Sequence, residues 1–172
     1  MDAGTIAAYR ASKDEYFRTS PNSPIPYEYR GSFTGLPYFD WAPDLVYTVH
    51  TDPADGTEIQ IATSDGAERT YRRTATVTLD IGGRQQSLAL YGTGHPKLFL
   101  PFRDTTSGRE TYGGGRYLDI EPNEDGTITI DFNLAYSPYC VYSDSYSCAL
   151  PPAENWLDVP IPAGEKVWRK PG

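Results

Sequence analysis

Histidine and cysteine, on which most metal centres and nucleophilic active sites draw, number two each in 172 residues. His50 and His95 lie far apart, and Cys140 and Cys148 form no Cys-x-x-Cys pair, so the ligand spacing of a zinc site is missing. No Ser/His/Asp arrangement is legible, and no nicotinamide, flavin or nucleotide fingerprint is present. Neither a cofactor nor a metal is therefore expected. No run of about 18 apolar residues exists, which argues against a membrane-spanning helix. Residues 1–16 lack the basic segment and apolar core of a secretory signal. A cytoplasmic location is the resulting expectation, and there a structural disulfide is disfavoured. Positive charge is also short: 15 Lys and Arg against 23 Asp and Glu leave a net charge of −8. An acidic surface repels phosphate backbones, so nucleic acid is not an expected partner. The one dense basic cluster, Arg69, Arg72 and Arg73, alternates between the faces of a strand and makes no stripe. Eleven arginines to four lysines, with abundant aspartate, is a balance suited to a salt-rich cytoplasm.

What is plentiful is tyrosine (14), proline (15) and glycine (16), spread along the chain. Tyrosine favours half-buried strands, and proline and glycine supply the turns between them. The length fits a single domain, residues 1–172, which buries enough surface to need no covalent staples. Residues 1–20 read as one helix, with Ile6, Tyr9, Lys13, Tyr16 and Phe17 at helical spacing facing the core. Residues 21–44 are aromatic, proline-rich and irregular, with Phe33, Leu36, Tyr38, Phe39 and Trp41 as a satellite cluster. From residue 45 onward the pattern alternates with period two. Residues 45–51, 57–63, 68–81 and 85–91 read as a four-strand antiparallel meander, bulged near Thr74. Asp65-Gly66 and Gly82-Gly83 mark its turns. Residues 97–102 form a further strand, 116–121 and 127–133 a hairpin, and 156–161 and 165–168 a last hairpin. The fold class is all-β, mainly antiparallel: a barrel or a sandwich of about eight to ten short strands with one N-terminal helix.

Chemistry-bearing residues concentrate between Leu98 and Lys166. On residues 116–120, Arg116 shares a face with Leu118 and Ile120, and Asp119 lies opposite. An inward arginine near an inward carboxylate reads either as an anion clamp or as an ion pair tying strands together. Gly113-Gly114-Gly115 reads as a wide turn. On residues 127–133, Asp131 and Asn133 oppose Ile128, Ile130 and Phe132. Cys140 and Cys148 flank a polar, proline-pinned loop and have three readings: inert or redox-linked thiols, a nucleophile with Glu154 or a histidine as base, or a metal site short of donors.

Leu98-Phe99-Leu100-Pro101-Phe102-Arg103-Asp104, then the run from Ser107-Gly108-Arg109 to Tyr117-Leu118-Asp119, then Asp131-Phe132-Asn133 and the residues after it, resemble the domain-of-unknown-function family numbered 1684. Asn155, Leu157 and Ala163-Gly164-Glu165 continue the match, and Ser23-Pro24 matches loosely. The chain departs from the family pattern at Ala149, where proline is expected, and at Trp156, where arginine is expected, so a basic residue there cannot be essential. The resemblance implies no reaction. It implies that Asp104, Arg116, Asp131, Asn133, Tyr136, Cys140, Cys148 and Asn155 belong to a shared signature, more polar than packing requires. A buried hydrogen-bond network would have the same composition.

The leading expectation is a site for a small polar or anionic molecule, binding or catalytic. Tyr112, Arg116, Asp131, Asn133, Tyr136 and Asn155 would contact the ligand, and Cys140 and Glu154 would supply any reactive group. The rival is a protein-interaction module using Tyr139, Tyr142, Tyr146 and Trp156. A third reading is a purely structural network. The aromatic N-terminal region leaves room for a homo-oligomer.

Overall fold

The protein is described from a computed structural model covering residues 1–94 and 96–171, so His95 lies outside the described residues. Helix α1 spans Ala3–Thr19, and its N-cap Asp2 accepts the Thr5 N–H at 2.8 Å. It ends where Ser20 turns extended ahead of Pro21. Its expected stripe divides in two. Ile6 and Phe17 are buried, whereas Tyr9 and Tyr16 remain 43% and 45% exposed. The next segment holds a single-turn helix, α2 (Tyr27–Arg30), and a 3-10 turn at Pro43–Leu45. Phe33 and Leu36 pack with Phe17, Ile25 and Tyr142 as a satellite core, and Trp41 stays at the surface.

Eight strands come next: β1 (Val46–Val49), β2 (Asp52–Pro53), β3 (Glu58–Ala62), β4 (Glu68–Ile81), β5 (Arg84–Gly92), β6 (Leu98–Phe102), β7 (Arg116–Ile120) and β8 (Ile128–Asp131). β2 to β7 form one six-stranded antiparallel sheet, with β2 and β3 both on the same edge of the long β4, while β1 and β8 pair separately. The register of β4 slips between Arg73 and Ala75, a bulge at the expected place. The β4–β5 hairpin turns on Gly82 and Gly83, both at positive φ (61° and 84°), as a two-residue hairpin turn of this hand requires. Ala75, Val77, Leu79 and Ile81 present one continuous apolar face, which packs with Leu118, Ile120, Ile128 and Ile130. The sheets do not close. The architecture is sandwich-like rather than a barrel.

Three expected pairings differ. The meander starts at β3, because β1 leaves to pair with β8, from Val46↔Asp131 to Val49↔Ile128. β8 therefore does not return along β7. The Asn123 side-chain amide donates to the Thr127 and Thr129 hydroxyls at 3.0 and 3.2 Å, closing the turn between β7 and β8 on itself. Among the described residues, 156–168 contain no strand. Pro160 and Pro162 lack the N–H groups of a ladder. Buried side chains, Arg116 and Asp104 among them, satisfy the backbone of this segment instead. Gly164 (φ 80°) lies so close to Phe132 and Ala135 that a Cβ there would come within 2.8 Å of both carbonyl oxygens.

Candidate functional site

The polar signature residues are placed in two different ways. Arg116 is 1% exposed. Its guanidinium donates to the carbonyls of Ile161 (2.9 Å), Ala163 and Glu165 (3.2 Å) and lies 3.5 Å from Asp104. Burial pulls its pKa down while Asp104 pushes back. Asp104 in turn accepts the Ile161 N–H at 2.6 Å and the Thr106 hydroxyl at 2.8 Å. The inward carboxylate beside Arg116 is thus Asp104, and the pair fastens residues 161–165. Asn133 clasps Ala42 through both its N–H and its carbonyl, at 2.8 and 2.9 Å, and Asp131 caps Asn133 at 2.9 Å.

Asn155, fully buried, accepts the Ala89 N–H (2.8 Å) and donates to the carbonyls of Ala89 and Pro101. Glu154 is held by Arg73, with contacts at 2.9 Å to both its oxygens, and by the Tyr91 hydroxyl. Cys140 donates its thiol to the Tyr112 hydroxyl at 3.6 Å, and its N–H points at the Cys148 sulfur at 3.2 Å. No hydrogen bond among the described residues joins Glu154 to Cys140. Arg116, Asn133 with Asp131, and Cys140 thus belong to separate hydrogen-bonded clusters, and the buried Arg116 Nε alone of these groups has no partner among the described residues.

Concavity lies elsewhere, on the outer face of the large sheet. A groove of about 970 Å³ runs between α1, the outer face of β4, β6 and β7, and the residue 136–149 loop. Its floor is a chain of aromatic rings. Tyr71 stacks on Phe99 at 5.5 Å, Phe99 meets Tyr117 edge-on at 4.8 Å, and Tyr117 meets Tyr136 at 5.7 Å. Tyr9, Lys13 and Tyr16 of α1 form one wall, at the 3–4 residue spacing of a helix face. Cys148 and Ala149 form part of the other.

The lining carries Lys13, Arg69 and Lys97 against a single carboxylate, Asp119. Lys13 pairs with the buried Glu165 and sits 5.0 Å above the Tyr136 ring. Arg69 donates to the Ser147 carbonyl, and the exposed Lys97 forms no ion pair among the described residues. With Lys13 offset by Glu165, Arg69 and Lys97 against Asp119 leave the lining net positive, an inversion of sign within a chain of net charge −8. Tyr136 donates to Asp119 at 2.6 Å, and Tyr117 donates to the Ala149 carbonyl. Burial first, then the thiols of Cys148 and Cys140 for Tyr117 and the Asp119 carboxylate for Tyr136, raises the pKa of both tyrosines, which keeps them neutral donors. Arg69, Tyr71 and Thr93 extend this lining into a smaller depression of about 370 Å³.

Residues 31–166 match the family described as Protein of unknown function (DUF1684). The chain belongs to that family. No curated protein matches it. Among solved structures it is similar to an uncharacterized protein of Haloarcula marismortui, determined in solution by NMR, at 41% identity and a TM-score of 0.72. The match covers 95% of this chain and 92% of that one.

Within this DUF1684 chain, the run that ends Tyr117-Leu118-Asp119 and the run that follows Asp131-Phe132-Asn133 do reach the groove, through Tyr117, Asp119 and Tyr136. On β7 the core-facing Arg116, Leu118 and Ile120 alternate with Tyr117 and Asp119, and it is the latter two that line the groove. Of the expected ligand-binding residues, Tyr136 lies in the lining, while Tyr112, Arg116, Asp131, Asn133 and Asn155 do not. Sequence reasoning passed over Tyr71, Phe99, Tyr117 and Lys97. The available signal was the aromatic residues alternating with the aliphatic ones on neighbouring strands, as in Leu98-Phe99-Leu100 and Arg116-Tyr117-Leu118.

Proposed function

We propose that the protein binds a small molecule in the tyrosine-floored groove, one with a flat or apolar body and an anionic group. The inversion of sign carries the reading: with Lys13 paired to Glu165, a chain of net charge −8 still sets two cations, Arg69 and Lys97, against one carboxylate, Asp119, beside an aromatic floor. The aromatic rings offer stacking area, and Arg69 and Lys97 offer the counter-charge. The groove lies open to solvent beside half-exposed tyrosines of α1. That suits reversible binding more than sequestration of a reaction, and the internally paired Glu154 adds no base to it.

Titration with naphthalene-2-sulfonate, followed by amide chemical shifts at low salt, tests the proposal against its neutral counterpart, naphthalene-2-methanol. The sulfonate is expected to bind about tenfold more tightly, with shifts at Tyr71, Phe99 and Tyr136, and Tyr16→Ala and Lys97→Gln are each expected to weaken it by about three- to tenfold. Equal affinity for the two probes, or shifts scattered away from the groove, would refute it.

The rival interaction surface is not favoured by the placement of its aromatics. Tyr142 is buried, Tyr139 and Tyr146 pack on each other at 5.2 Å, and only Trp156, at 53% exposure, stands out.

The described residues contain no helix long and apolar enough to cross a membrane. A cytoplasmic location accords with the two free thiols. The similar protein comes from a halophile, which supports reading the acidic, arginine-rich composition as adaptation to salt. Thermal unfolding is then expected to shift upward by about 5 °C or more between 0.1 M and about 2 M KCl, as screening relieves self-repulsion. An unchanged midpoint would refute this.

A further inference from the structure

Cys140 and Cys148 are both free, and the chain between them folds back so that the Cys148 sulfur receives the Cys140 N–H at 3.2 Å. An N–Cα bond is about 1.46 Å, so that sulfur lies no more than about 4.7 Å from the Cys140 Cα. That bound is compatible with a disulfide, whose Cα atoms usually stand about 4.4–6.8 Å apart. The two thiols differ in access. Cys148 is buried, and burial holds its pKa up at about 11, with the adjacent Cys140 N–H pulling it down and the Cys140 thiol pushing it up. Cys140 is half-exposed and has the Tyr112 hydroxyl beside its sulfur at 3.6 Å.

We propose that this thiol pair is an oxidation site for peroxides, at which Cys140 reacts first and Cys148 resolves it into an intramolecular disulfide. The Cys140 thiolate attacks one peroxide oxygen, the O–O bond breaks, and hydroxide leaves and takes up a proton as water. Cys140 is then a sulfenic acid. The Cys148 sulfur attacks the Cys140 sulfur, the S–S bond forms, and the sulfenic oxygen leaves as a second water with the Cys148 proton. Two electrons pass from the two thiols to one peroxide. Cys148 and Ala149 line the groove, so the bond would fix part of that wall to the segment behind it. The oxidation does not depend on what the groove binds.

The folded wild-type protein, treated with hydrogen peroxide and quenched in acid, is the test. Peptide mass mapping is expected to show one Cys140–Cys148 link within a chain, with a loss of about 2 Da that dithiothreitol reverses. In Cys148→Ser the intermediate has no resolving partner, and Cys140 is expected to give a dimedone adduct. Two intact thiols after treatment, links only between chains, or gain of about 32 Da on Cys140 as sulfinic acid would each overturn the proposal. Mapping of the wild type decides the matter even where the variant does not fold.

Discussion

Replacing Arg116 with Met is expected to cost the protein about 3–5 kcal/mol, the usual penalty for removing one partner of a buried ion pair. Asp104 would stay buried without its counter-charge, and the carbonyls of Ile161, Ala163 and Glu165 would lose their donor. Methionine fills similar volume against Phe102, whose ring lies 5.2 Å from the guanidinium carbon, so lost packing adds little and the penalty is mainly polar. Total stabilities of about 5–15 kcal/mol make this a large fraction, worth roughly 10 °C or more in the unfolding midpoint. Arg116→Lys keeps the charge but replaces a planar fork by a point donor, and most of the loss should persist. Urea unfolding at fixed salt measures both. If Arg116 served as an anion clamp, the Met variant would instead unfold as the wild type does and lose affinity for the sulfonate probe.

Asn155→Ala is expected to cost about 3 kcal/mol or more, because it orphans three buried backbone groups at about 1–3 kcal/mol each, not fully additive. The reason lies in the sheet. β5 and β6 pair only at Tyr91↔Phe99 and Gly92↔Leu98, and then part. Pro101 has no N–H to offer β5, so a continuous ladder is impossible there. The Asn155 amide fills the gap, serving Ala89 on β5 and Pro101 on β6 at 2.8–2.9 Å. Beside it, Arg103 N–H donates to the Asn155 carbonyl and Leu157 N–H to the Arg103 carbonyl. Asn155→Asp keeps the shape, loses both donors and buries a charge, so it should be at least as damaging as alanine. Hydrogen exchange at Ala89, quickened in Asn155→Ala beyond the global change, would localise the effect. Uniform exchange and a loss below about 1 kcal/mol would mean that water replaces the amide.

These two residues explain why a polar signature could be read from the sequence without its purpose. Composition marks Arg116, Asp104, Asn133 and Asn155 as out of place beside aliphatic strands, and that much is correct. A side chain that satisfies irregular backbone and one that meets a ligand need the same donors and acceptors, and only the partners distinguish them. Here the partners are the carbonyls of residues 161–165, the peptide groups of Ala42, and the gap between β5 and β6.

The sequence by itself determined the N-terminal helix, the alternation of β4 and its bulge near Thr74, the turns at Asp65-Gly66 and Gly82-Gly83, and the division of β7 into an Arg116–Leu118–Ile120 face and a Tyr117–Asp119 face. Each rests on local periodicity or on turn chemistry, which a few neighbouring residues suffice to specify. Tertiary structure alone decided that β1 pairs with β8 across about eighty residues, that residues 156–168 are held by side chains rather than by a hairpin, and that α1 stands over the outer face of β6 and β7 to make the groove. Those outcomes depend on which apolar faces find one another at long range, and on where a proline or a turn leaves backbone groups for distant side chains to satisfy.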